Sequence, residues 1–210
     1  MNHDMLFDEA RERRRAHLLE MARGFNKLLT PCFNFGLVKK EESPKEYFVV
    51  AVLNKLFSLN ISLENIIFTN DVFLLNYLYR YVYELYVKVF YIFSGSDDAE
   101  INEKIKKFFD NKRMEIKDYL ENINESSIPP KLKEEHKEKY LLMNRMAHPN
   151  INSLNMHLNK TKEQQFDFLV PTVNLIFWHN AEIMRVFSYL KILGVDKSLD
   201  LDKLYSLQTQ

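Results

Sequence analysis

The chain has 210 residues, its 29 Lys plus Arg balance 29 Asp plus Glu, and 46% of it is apolar. That balance excludes a disordered chain, and zero formal charge argues against nucleic-acid binding by bulk electrostatics while leaving a local basic patch open. A single cysteine, Cys32, excludes an internal disulfide framework and multi-cysteine metal sites and points to a reducing, cytoplasmic compartment.

The first segment, Met1–Asn26, is charged throughout and lacks the apolar core of a targeting signal. Within residues 4–29, Leu6, Ala10, Leu18, Met21 and Leu28 predict an amphipathic helix. A loop with Pro31 and Gly36 follows. Ser43-Pro44-Lys45-Glu46 is a helix start: a Ser cap, Pro at the first helical position and a Glu to complete a capping box. That helix is expected to end near Phe57, and Ser62 is expected to open a separate short turn. Asn70 or Asp71 caps a long apolar helix that ends near Ser94-Gly95. A charged amphipathic helix is expected over residues 100–123, then a break at 126–130. Lys131–Ala147 reads as helical and stops before Pro149, because the residue preceding Pro disfavours the helical region. Thr161 and Gln164 form a capping box for a last long helix to about Gly194, with Pro171 inside it.

No strand alternation competes with this pattern, and four Gly are too few for the turns of a β-sandwich. No repeat of solenoid length is visible. The fold expected is therefore all-α: a single-domain bundle of six to seven helices around a buried central helix at 71–93. Residues 1–42 pack onto a core at 43–194, and 195–210 form a short helix or tail. The apolar run 72–93 does not read as a membrane span, because a central Arg or Glu costs about 2.5–3.5 kcal/mol on insertion. No Gly-rich phosphate loop, GxSxG or HExxH is present, which disfavours P-loop, dinucleotide-fold and serine-hydrolase chemistry.

Two constellations carry chemistry. Asn76, Arg80, Glu84 and Lys88 recur every four residues, so they form one polar stripe on an otherwise apolar helix. The stripe is either a solvated edge with i,i+4 ion pairs or a buried Arg80–Glu84 pair holding other groups in place. Buried pairs stabilise poorly, so the second arrangement points to a role beyond stability. The helix also carries Tyr77, Tyr79, Tyr81, Tyr83, Tyr86 and Tyr91, as boundary packing or as a helical dimer seam. The second constellation is YLLMNRMAHPN at 140–150. Asn144 and Arg145 lie four and three residues before His148, and Asn150 follows. A His at a helix C-terminus either caps the last carbonyls or, as imidazolium, serves a proton transfer or a phosphate.

Weaker candidates are a basic run, Arg11-Glu12-Arg13-Arg14-Arg15, as a solvated face or a phosphate contact, and Cys32 as a buried thiol. Trp178 and His179 read as core packing. His136, His148, His157 and His179 offer no metal-ligand spacing, so no metal or cofactor is expected.

The run MNRMAH resembles the RNxxAH signature of HEPN domains, small helical modules of bacterial defence and toxin–antitoxin systems. Asn144, Ala147 and His148 match it, and Met143 stands where the motif has Arg. The stretch RYVYELYVKVFYIF, with Arg80 and Glu84, is similar to uncharacterised bacterial HEPN-like proteins that pair an Arg-xxx-Glu helix with a later His-Pro. The resemblance spans about residues 70–150. It implies a homodimer whose Arg and His meet at a cleft and cleave RNA without metal. His148, Arg145, Arg80 and Glu84 then form the catalytic set, and Asn144, Asn150, Lys88 and Asn76 the binding set. Two alternatives remain: a catalytically degenerate interaction or regulatory protein, as Met143 suggests, and a small-molecule or nucleotide binder using an Arg80–Glu84–His148 pocket.

Overall fold

The computed structural model describes residues 3–29, 44–95, 97–110, 115–122, 138, 141 and 161–189. Among the described residues the chain is all-helical, a bundle of six helices: α1 (His3–Leu29), α2 (Pro44–Thr69), α3 (Val72–Phe93), α4 (Asp98–Phe109), α5 (Ile116–Glu121) and α6 (Lys162–Tyr189). The helix expected at 131–147 lies outside the described residues except at Glu138 and Leu141.

α1 buries Leu18, Met21, Ala22, Phe25 and Leu29, one stripe at three- and four-residue spacing. Leu18 and Met21 were expected there, but Ala10 is exposed, and among the described side chains of α1 the buried stripe begins at Leu18. α2 packs along α1. Asn60, itself buried, donates its Nδ2 to the Ala22 carbonyl at 2.6 Å, and Asn26 Nδ2 donates to Glu64 Oε1 at 2.7 Å.

The break expected after Phe57 does not exist: α2 runs unbroken to Thr69. The hydroxyls of Ser58 and Ser62 donate back to the carbonyls of Asn54 and Ser58, each at 3.1 Å. A serine bonded to the carbonyl four residues earlier sits inside a helix instead of starting one. Leu56, Leu59, Leu63, Ile66 and Ile67 carry the buried stripe across the same stretch.

Asp71 caps α3 as expected. Its side chain accepts from the Leu74 amide at 2.9 Å, and Asn70 takes the left-handed conformation, φ 58°, that reverses the chain between α2 and α3. α3 touches α2, α4, α5 and α6, and its broadest packing is on α6. It ends at Ser94-Gly95. A Cβ on Gly95 would lie 2.9 Å from the Ile101 side chain, so the turn into α4 has room only for glycine.

The single helix expected over 100–123 is two helices. α4 is capped by Asp97, which accepts from the Glu100 amide at 2.8 Å, and it closes at Asp110. α5 starts afresh where the Glu115 amide donates to Asp118 Oδ2 at 3.0 Å. Both helices keep the predicted apolar face. Ile101, Ile105, Ile116, Tyr119 and Leu120 are buried, and Phe108 and Phe109 join Phe48 in an aromatic cluster.

The Thr161–Gln164 capping box is present in both directions, at 3.2 and 3.3 Å. α6 continues through Pro171, which is exposed. From His179 to Met184 every residue of α6 is buried. Among the described residues one helix, α2, reaches the length and hydropathy of a membrane span. Part of that stretch, 44%, is buried inside the bundle, and a core helix has the same composition.

Candidate functional site

The polar stripe of α3 is neither a solvated edge nor a sealed pair. Arg80, Glu84 and Lys88 side chains are 27%, 22% and 26% exposed, so each is half-buried at the rim of the core. Arg80 Nε donates to Glu84 Oε1 at 3.0 Å, and Lys88 Nζ lies 3.9 Å from Glu84 Oε2. One carboxylate thus sits between two cations. Asn76, one turn earlier, is buried. The i,i+4 spacing brings these four residues onto one face, as their periodicity required. His148, Arg145, Asn144, Asn150 and Met143 lie outside the described residues.

Where α3 meets α6 the chain buries a second polar group, which sequence patterning assigned to ordinary core packing. His179 is fully buried and is ringed by Tyr79, Tyr83, Tyr86 and Trp178 at centroid distances of 4.8–5.8 Å. Its Nδ1 lies 2.6 Å from the Leu175 carbonyl. A carbonyl can only accept, so Nδ1 carries the proton. Glu182, also buried, reaches Arg185 at 3.5 Å. Asn180 is fully buried, and neither polar atom of its amide has a hydrogen-bond partner among the described residues. Tyr79 Oη is in the same position.

The six tyrosines of α3 divide by face. Tyr79, Tyr83 and Tyr86 are buried toward α6, Tyr77 and Tyr81 are exposed with Leu74, and Tyr91 is half-buried beside Tyr119. Burial pushes the Tyr79 phenol up to about 12. It pushes Tyr83 and Tyr86 higher, with neighbouring tyrosines adding at Tyr83 and Glu182 at Tyr86. An acid whose folded pKa is raised stabilises the fold fully below its unfolded pKa, about 10 for Tyr, and loses that contribution as pH rises through the folded value. The expected result is one alkaline transition above about pH 10, in which phenolate absorbance from the buried tyrosines appears together with loss of the helical circular-dichroism signal. Complete tyrosine ionisation near pH 10 with the helices intact would contradict the burial.

Among the described residues no group of three His, Cys, Asp or Glu is placed to hold a metal ion. The α3 stripe offers a fixed planar cation beside a carboxylate, suited to a phosphate or another anion. The α6 cluster offers a sealed imidazole, suited to packing and orientation. Comparison with known proteins finds no matching family model, no matching curated protein and no matching solved structure.

Proposed function

We propose that this protein is an RNA-directed helical module of the HEPN type, acting in the cytoplasm as a homodimer, with metal-independent phosphodiester cleavage as its chemistry. The observation that carries the proposal is the Arg80–Glu84 pair, joined at 3.0 Å and half-buried on a helix packed against four others. A guanidinium tethered through Nε has a set plane, and a planar cation of set orientation suits phosphate charge. In this mechanism the ribose 2′-oxygen bonds to the adjacent phosphorus while the bond to the 5′-oxygen breaks. The 2′-hydroxyl proton leaves to a base and the 5′-oxygen gains a proton, so a cyclic phosphate and a 5′-hydroxyl end result and no electrons change hands. His148 handles a proton, and Arg80 or Arg145 steadies the phosphate.

The seam of the dimer is the outer face of α3. Leu74, Tyr77 and Tyr81 are exposed at three- and four-residue spacing, and aromatic side chains are enriched at interfaces. The same exposed face favours the second reading, a helical interaction protein that keeps the fold without the chemistry.

The test is cleavage of mixed-sequence RNA by purified protein in EDTA. Wild type is expected to cleave, Arg80→Ala to lose at least about tenfold in rate, and Arg80→Lys to recover little, because an ammonium lacks the planar fork. Cleavage by Arg80→Ala at the wild-type rate would remove Arg80 from the site. Absence of cleavage by a wild type that still dimerises would favour the interaction protein.

A further inference from the structure

A second polar recess lies away from the α3 stripe, between α1, the α2–α3 turn and the start of α6. Its volume is about 380 Å³, within the ~300–1,000 Å³ of ligand pockets. Of the basic run Arg11–Arg15, the first and last residues turn into it, and Arg13 and Arg14 stay exposed. Arg11 and Arg15 are 25% and 21% exposed, whereas their carboxylate partners Asp8, Glu12 and Asp167 are 73%, 67% and 57% exposed. The cations therefore form the inner wall and the acids the rim, where exposed Glu163 joins them. Arg11 sits 3.7 Å from Asp8 and 3.6 Å from Asp167, which are loose contacts, whereas Arg15 donates to Glu12 in a close pair that a ligand must displace.

The Arg15 guanidinium lies over the buried Phe166 ring, 5.1 Å from its centroid, which orients its plane. Its Nε is shielded from solvent and has no hydrogen-bond partner among the described residues. The same holds for Oδ1 of Asn70, the left-handed residue of the turn. Both atoms lie beneath the wall of the recess and not on its open surface. At its edge stands Phe68, which is 75% exposed, a large apolar ring that the core does not use.

We infer that this recess binds a phosphorylated nucleoside, free or as the 5′ end of an RNA strand. Arg11 and Arg15 take the phosphate by charge-assisted hydrogen bonds, displacing the rim carboxylates. Phe68 takes the base by stacking. The site is independent of Arg80 and of RNA cleavage.

Calorimetric titration of the whole protein with AMP, adenosine, ribose 5-phosphate, and an RNA tetramer with and without its 5′-phosphate tests it. AMP or the phosphorylated tetramer is expected to bind at about 1 mM or tighter, and the tighter of the two identifies the natural source. Adenosine and ribose 5-phosphate are each expected to bind at least about tenfold more weakly. Arg11→Gln with Arg15→Gln is expected to remove phosphate-dependent binding, and Phe68→Ala, which alters an exposed residue, to weaken base-dependent binding about tenfold. Arg80→Ala is expected to bind as wild type, which separates this site from the cleavage reading. Failure of both AMP and the phosphorylated tetramer to bind wild type, or equal binding by the Phe68→Ala and arginine variants, would overturn the inference.

Discussion

His148→Ala is expected to abolish RNA cleavage while leaving the fold intact. A positioned proton-transfer group supplies about 10²–10⁴-fold in rate, so the loss should fall in that range and not in a few-fold change of affinity. His148 precedes Pro149 at the end of the helix expected over 131–147, outside the described residues, and its assignment rests on the MNRMAH resemblance and on the need for a group that titrates near neutrality. Arg145→Ala and Arg80→Ala should then separate. The arginine that contacts phosphate loses rate with its melting temperature unchanged, and the one that only supports the fold loses stability. Chelators should change nothing, since the chemistry assigned uses no metal. Equal cleavage by wild type and His148→Ala would end the catalytic assignment. Met143 makes the arginine comparison necessary, because the HEPN motif that the segment resembles has its Arg at that position.

Tyr83→Ala is expected to lower the unfolding free energy by about 3–5 kcal/mol, the cost of deleting a large buried aromatic side chain. Tyr83 is fully buried on α3 and meets His179 edge-on at 5.4 Å and Tyr86 at 6.4 Å. Removing the ring opens a cavity in the broadest helix contact of the bundle, α3 on α6. Tyr81→Ala, two residues earlier on the exposed face and beneath the Lys55 ammonium at 4.8 Å, is the control: the monomer should change by about 1 kcal/mol or less, while a dimer seamed on that face should dissociate more readily. Urea unfolding of the two variants measures the difference. A Tyr83→Ala cost under about 1 kcal/mol would mean that α3 and α6 are not packed as described.

The helix ends were legible where a capping residue decides them locally. Asp71, Thr161 with Gln164, and the Ser94-Gly95 stop each depend on atoms within a few residues. Serine misled at 62, because the same hydroxyl that caps a helix start also bonds back inside a helix, and the apolar stripe on both sides decides between them. Residues 100–123 misled in the opposite sense: the apolar period continues across Asp110 and Glu115, although the backbone closes one helix and caps another.

The α3 stripe could be read from sequence because four-residue spacing places its members on one face. Its half-burial could not be, since that depends on which helices lie alongside. The same holds for the tyrosines. Sequence shows six on one helix, and only the packing of α6 selects Tyr79, Tyr83 and Tyr86 for the core. Asn180 and Glu182 carry no local pattern that separates them from surface residues. The recess near Arg15 is still less local: its two arginines, Phe68 with Asn70, and Phe166 come from three distant parts of the chain.

The central claim is that the α3 stripe and the Asn-Arg-Met-Ala-His-Pro segment form one site. The most direct measurement is the position of the His148 ring in a crystal structure of the dimer. The expected result is a ring nitrogen within direct hydrogen-bond reach of the Arg80–Glu84 pair, about 3 Å, or one bridging water away, within a protomer or across the two-fold axis. A His148 ring on the opposite face of the bundle, with neither protomer's Arg80 or Glu84 near it, would contradict the shared site.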